Sequence, residues 1–152
     1  MSDPKKESLI IPPSGDGSFH SKDLSTSSFL VTGGAGFIGS HIAEYLLKNG
    51  AGKVRVLDNM ANGFKSNLAI LKQYSAFEFI EGDIRNIDIC QKACTGIDYV
   101  SHQAALGSVP RSIREPVYFN EVNVGGFVNV LTAAVDNKVK QFVYASSSSV
   151  YG

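Results

Sequence analysis

The pattern of apolar and polar positions changes character near residue 28 of this 152-residue chain. Residues 1–27 are polar and serine-rich, and Pro4, Pro12, Pro13, Gly15 and Gly17 interrupt them. Such a stretch has too little apolar surface to form a core of its own, which predicts a flexible or loosely docked N-terminal extension. From Phe29 onward short β-prone runs alternate with segments of helical period. The runs predict strands over 28–32, 53–58, 76–81, 98–102 and 141–147. The periodic segments predict helices over about 37–49, 64–73, 86–94 and 116–136. Asn49-Gly50 and Gly52 supply a C-terminal stop for the first helix, and Pro116 suits the first turn of the last. Strand–helix alternation implies a parallel sheet with crossovers. Residues 28–152 are therefore expected to form one α/β domain, a doubly wound parallel sheet of order 3-2-1-4-5.

The stretch Phe29-Leu-Val-Thr-Gly-Gly-Ala-Gly-Phe-Ile-Gly-Ser-His41 gives this fold its first chemical content. A glycine triplet alone is equally the mark of an ordinary strand-to-helix turn. Here Gly33, Gly36 and Gly39 follow a strand, open a helix, and precede by 19 residues Asp58, which ends the second strand. That context makes a dinucleotide cradle of Rossmann type. The glycines allow a sharp turn, close approach of backbone N–H groups to phosphate, and tight helix–strand packing. The helix N-terminus adds unpaired donors and positive partial charge. Gly33, Gly36, Phe37, Ile38 and Gly39 are the candidate diphosphate contacts. The Asp58 carboxylate would accept from ribose hydroxyls and repel a 2′-phosphate, so NAD is the cofactor expected.

Composition narrows the setting. Hydrophobic content of 43% and charged content of 18% suit a soluble globular protein. Fourteen Lys plus Arg balance fourteen Asp plus Glu, so no global field favours nucleic acid or an anionic membrane. No apolar run approaches a membrane span, and Leu9-Ile-Ile11, followed by Pro12-Pro13, is too short for a signal-peptide core. Cys90 and Cys94 read as two reduced structural thiols rather than a zinc or disulfide framework. A cytoplasmic protein without a metal site is expected. His20 stands with no partner set in the sequence.

Ligands of such sheets lie beyond the carboxyl ends of the strands. After strand 2 come Asp58, Asn59, Asn62 and Gly63, and after strand 3 Asp83 and Ile84, a polar contact and an apolar wall for adenine. Asp83 is equally a candidate cap for the helix after it. Strand 4 ends in His102, Gln103, Ala104 and Ala105; the small residues let a cofactor lie on backbone, while His102 reads as a packed core histidine. Strand 5 runs into Ser146, Ser147, Ser148 and Ser149.

Together Thr32-Gly-Gly-Ala-Gly-Phe-Ile-Gly39, Gly82-Asp-Ile84, His102-Gln-Ala-Ala105, Asn123-Val-x-Gly126 and Ser146-Ser-Ser-Ser-Val-Tyr-Gly152 resemble the extended short-chain dehydrogenases/reductases. More narrowly the chain is similar to NAD-dependent nucleotide-sugar epimerases and dehydratases over residues 29–152. The run Gln103-Ala-Ala-Leu-Gly-Ser-Val-Pro-Arg-Ser-Ile113 resembles the UDP-N-acetylglucosamine 4-epimerase branch. The resemblance implies a UDP-sugar substrate oxidised transiently at its fourth carbon. It makes Ser147 the catalytic serine, with Ser108, Ser147, Ser148 and Ser149 on the substrate side and Val109 beside the nicotinamide. It also implies that Asn123 lies near the nicotinamide half; read alone, that residue is equally a satisfied buried amide. Arg111 is left between a phosphate and a surface carboxylate. A homodimer formed through the helices over 86–94 and 116–136 is a further implication.

The family's Tyr-x-x-x-Lys pair is absent from the chain: none of Tyr45, Tyr74, Tyr99, Tyr118, Tyr144 or Tyr151 has a lysine four residues on. The expectation is the cofactor-binding half of a UDP-N-acetylglucosamine/UDP-N-acetylgalactosamine 4-epimerase, inactive by itself and truncated before the catalytic helix and the substrate domain. Alternatives are a UDP-glucuronate 4-epimerase, a nucleotide-sugar dehydratase, or a stand-alone, non-catalytic NAD-binding module.

Overall fold

A computed structural model of the chain describes residues 22–147 and residue 150. The order is β1 (Ser28–Thr32), α1 (Phe37–Lys48), β2 (Lys53–Asp58), α2 (Lys65–Leu71), β3 (Phe77–Glu81), α3 (Ile87–Cys94) and β4 (Tyr99–His102). Then come α4 (Val109–Arg114), α5 (Pro116–Asn120), a π-helical turn (Glu121–Gly126), α6 (Phe127–Asp136) and β5 (Gln141–Tyr144). All four strand pairings are parallel, and the order is β3-β2-β1-β4-β5, as the sequence predicts.

Successive side chains of a strand face opposite sides, so each central strand feeds two cores. On one face Leu30, Leu57 and Val100 pack with Cys90, Ala93 and Cys94 of α3 and Val130, Ala133 and Ala134 of α6. On the other, Val31, Val54 and Val56 pack with Ala43 and Leu47 of α1 and Leu68 and Leu71 of α2. Each such Leu or Val side chain contributes roughly 1.5–3 kcal/mol when fully buried. Burial pushes the Cys90 thiol up to about 12 and the Cys94 thiol up to about 11, so both are inert apolar filler.

Four sequence expectations change. Order begins before residue 28: Leu24 packs against the second core and its carbonyl accepts from Ser27 and Gly52 N–H, while residues 1–21, including His20, lie outside the described residues. The last strand ends at Tyr144 rather than 147, because Tyr144 pairs with His102 and β4 goes no further. The helix over 116–136 is interrupted by the π-helical turn. A short helix, α4, occupies a stretch that reads as irregular loop; Ser108 caps it by accepting from Arg111 N–H at 3.4 Å, and Pro110 sits in its first turn.

Candidate active site

The turn from β1 into α1 is a backbone cradle. Gly33 adopts φ +68° and donates its N–H to Leu57 at 2.8 Å. A Cβ there would lie 2.8 Å from the Ala104 nitrogen, so the loop after β4 presses directly on the turn. A Cβ on Gly39 would strike the Gly33 carbonyl oxygen, which fixes helix against strand. No side chain caps the N-terminus of α1, leaving its first-turn donors and dipole for an external anion.

Asp58 stands at the end of β2 beside this cradle. Its Oδ2 accepts from Ala35 N–H at 2.9 Å and its Oδ1 from Met60 N–H at 2.8 Å. Each oxygen keeps a lone pair for a ribose hydroxyl. Gly63 approaches so closely that a Cβ there would lie 3.1 Å from Asp58 Oδ1. Asn59 donates to Asp83 Oδ2 at 3.2 Å.

Asp83 is not the cap of α3. Asn86 takes that role, accepting from Asp88 and Ile89 N–H at 2.9 and 3.3 Å. Asp83 instead receives Arg85 Nη2 at 2.8 Å and Nε at 3.1 Å, and these bonds hold its carboxyl down at about 2. It lines the recess beside the groove, whereas its neighbour Ile84 lines the groove itself.

The groove lies across the carboxyl ends of the strands. Its end next to Asp58 is lined by Asn59, Asn62, Gly63 and Ile84 together with Gln103, Ala104 and Ala105. Its other end is lined by Phe37, Ile38 and Gly39 and by Gly107, Ser108 and Arg111, with Ala145 from beyond β5. Gly33, Gly36, Asn62, Gln103, Ala105 and Leu106 border both ends and make the groove continuous.

Buried Thr32 and His102 and exposed Asn123 shape the loop after β4. Thr32 Oγ1 accepts from both Gln103 and Ala104 N–H at 3.2 Å. Its own proton therefore goes to His102 Nδ1, 2.8 Å away, which assigns the ring proton to Nε2. Burial lowers the His102 pKa to about 4, so the ring is neutral at neutral pH and accepts from Thr32. Asn123, in the π-helical turn, accepts from Leu106 N–H at 2.8 Å and donates to the Leu106 carbonyl at 3.0 Å. It borders neither end of the groove.

Arg111 meets a carboxylate, donating from Nη2 and Nε to Glu115 at 3.0 and 3.1 Å. Ser147 is exposed two residues past Ala145, and its carbonyl accepts from Val150 N–H at 3.2 Å. Ser148 and Ser149 lie outside the described residues. Sequence reading missed Tyr118 and Val122, which line the end of the groove next to Asp58. Tyr118 is stacked between the Arg85 and Arg111 guanidinia, 5.0 and 5.4 Å from its ring centre. The i, i+4 spacing of Tyr118 and Val122 was the available signal, had α5 been given a groove-facing side. Among the described residues no cluster of three or more His, Cys, Asp or Glu could hold a metal, and no helix is long and apolar enough to cross a membrane.

Comparison with known proteins agrees with this geometry. The model of the NAD dependent epimerase/dehydratase family matches residues 29–152. A putative UDP-glucose 4-epimerase of Methanocaldococcus jannaschii is 41% identical over 81% of this chain, which spans 39% of that relative. The structure of a UDP-N-acetylglucosamine 4-epimerase from Methanobrevibacter ruminantium is 37% identical with a TM-score of 0.75, over 83% of this chain and 39% of that one. A dTDP-glucose 4,6-dehydratase double mutant from Streptomyces venezuelae, crystallised with NAD, is 40% identical with a TM-score of 0.77, over 82% of this chain and 40% of that one.

Proposed function

The chain belongs to the NAD-dependent epimerase/dehydratase family of nucleotide-sugar enzymes, and on that premise we propose that it forms the cofactor-binding part of a UDP-N-acetylglucosamine 4-epimerase. The groove fits the family's cofactor: a glycine cradle that a Cβ would fill, an uncapped helix N-terminus, and a carboxylate with free lone pairs where a ribose would lie. Bound NAD would supply a hydride acceptor that takes hydride from the sugar's fourth carbon and returns it to the opposite face.

The chain's own residues divide the remaining work. The β1–α1 turn and the first turn of α1 hold the diphosphate. Asp58 receives the ribose hydroxyls and disfavours a 2′-phosphate. Ile84 and Tyr118 wall the base. Ser147 holds the reacting oxygen, since a hydroxyl both donates and accepts as alcohol becomes ketone. Neutral His102 fixes the loop after β4 and takes no part in proton transfer. Homodimerisation through α3 and α6 belongs to the same reading.

One observation carries the choice of branch. Gly107, Ser108 and Arg111, from the run that resembles the N-acetylhexosamine branch, border the groove at the end away from Asp58. The test is to incubate the intact protein with UDP-N-acetylglucosamine and with UDP-glucose and follow the products. The 4-epimer forming faster from the acetylated sugar is expected. A 4-keto-6-deoxy product would move the chain to the dehydratases, and NAD binding without turnover would leave a binding module.

A further inference from the structure

We propose that Asn123 is a positioning residue, which sets the floor of the groove by clamping Leu106 from the π-helical turn. This rests on the reading of the groove as the NAD site and names the contact that holds that site open.

The clamp is two-sided. Oδ1 of Asn123 accepts from Leu106 N–H and Nδ2 donates to the Leu106 carbonyl, at 2.8 and 3.0 Å. One side chain thereby satisfies both backbone polar groups of a single loop residue. Leu106 borders both ends of the groove, whereas Asn123 borders neither. The loop has few other anchors: Thr32 Oγ1 takes Gln103 and Ala104 N–H at its start, and Ser108 opens α4 at its end. Gly107, between them, has open space where a Cβ would be. Asn123 is the fastening at the middle of this span.

The π-helical turn is the device that makes the reach fit. Such a turn inserts one residue into an α-helix and rotates the rest of the helix by about 100° relative to an uninterrupted one. Before it Phe119 faces the core, within it Val122 and Gly126 do, and after it Val130, Ala133 and Ala134 follow. Within the turn Val122 and Gly126 are buried while Asn123 reaches Leu106. At the end of the turn Gly126 abuts Ile84, whose Cγ1 would lie 2.6 Å from a Cβ at that position. The same turn therefore touches two walls of the groove, Leu106 through Asn123 and Ile84 through Gly126. Loosening it widens the groove along its length rather than removing one contact.

The test compares wild type, Asn123→Ala and Asn123→Asp in the intact protein. Hydrogen exchange at Leu106 N–H is measured without ligand, and NAD, AMP and nicotinamide mononucleotide are titrated separately. Asn123→Ala is expected to speed Leu106 exchange by about tenfold and to weaken all three ligands by similar factors, also about tenfold. Asn123→Asp keeps an acceptor for Leu106 N–H but loses the donor to the Leu106 carbonyl, so it should restore the protection and the affinity only in part. A loss confined to one mononucleotide would mean that Asn123 touches that half directly and would overturn the proposal. So would unchanged Leu106 exchange in Asn123→Ala. The exchange measurement needs no ligand, so it tests the clamp even if wild type failed to bind NAD, a result that would sink the groove reading alone.

Discussion

Asp58 shows how one side chain serves fold and ligand together. From sequence it is a ribose acceptor; in the structure it also holds Ala35 and Met60 N–H, and Met60 sits at φ +59° in the loop that borders the groove. Asp58→Ala is therefore expected to weaken NAD binding and also to destabilise the fold by about 1–2 kcal/mol, since two backbone donors lose their acceptor. Calorimetric titration with parallel thermal unfolding checks both; an intact affinity would remove the ribose contact. Ser147→Ala should separate the effects differently, lowering kcat far more than NAD affinity in the intact enzyme, and equal losses would mark a structural serine. His102 makes a pH prediction. Its pKa falls from an ordinary 6.5 to about 4 on folding, so below 6.5 the unfolded chain binds a proton that the native state refuses. Stability contributed by the neutral ring is complete above pH 6.5 and declines as pH falls toward 4, by on the order of 3 kcal/mol in all. Urea midpoints between pH 7 and 4.5 should show this slope, and His102→Asn, which keeps an acceptor for Thr32, should flatten it.

At the scale of elements, the order of strands and the glycine turn were legible because local pattern dictates them: five apolar runs, helices between, and a glycine triplet between strand and helix with Asp58 ending the next strand. The features that escaped depend on contacts distant in sequence. The strand over 141–147 looks continuous, yet its pairing stops where β4 stops. The helix over 116–136 has an unbroken apolar period, whereas the π-helical turn in it goes with a long-range contact, Asn123 to Leu106. Asp83 beside a helix start reads as a cap, but Asn86, three residues later, meets the free N–H groups. Arg55 is the clearest case. A strand arginine in Lys53-Val-Arg-Val-Leu-Asp58 suggests an exposed face, yet it is buried beneath the C-terminus of α3. Its Nη1 donates to the Ala93 and Thr95 carbonyls at 2.7 and 2.8 Å, while Nε and Nη2 hold Glu78 at 2.9 Å. The guanidinium caps the helix and meets its negative dipole end. Arg55→Met keeps the stem but strips these carbonyls and Glu78 of their donor. A loss of about 2–4 kcal/mol and a clear drop in Tm are expected, with NAD affinity nearly unchanged because Arg55 lies outside the groove. An unshifted Tm would mean that water replaces the cap.

Among the described residues the outer side of α6 and of the turn before it carries apolar side chains that the two cores do not use. Val124, Val128, Leu131 and Val135 succeed one another at spacings of four, three and four along the outer side of the π-helical turn and α6, and are 37–68% exposed. Val117 on α5 and Ile87 on α3 are exposed as well. The inner sides of α3 and α6 are already committed to the sheet and to each other, with Gln91 bonded to Asp136 and Asn137 across the pair. An exposed apolar run of this kind suits an interface between copies of the chain. A second copy meeting it about a twofold axis would set like against like, as an isologous contact requires. None of these valines or Leu131 borders the groove, so association and cofactor binding should separate cleanly. Val128→Glu with Leu131→Glu places two charges inside the contact, where their desolvation opposes association without disturbing either core. In light scattering the intact wild-type protein is expected at twice its chain mass and the double variant at once, with NAD affinity equal in both. A dimer that survives both charges would place the contact elsewhere, and a monomeric wild type would leave the stripe to be covered from within the same molecule.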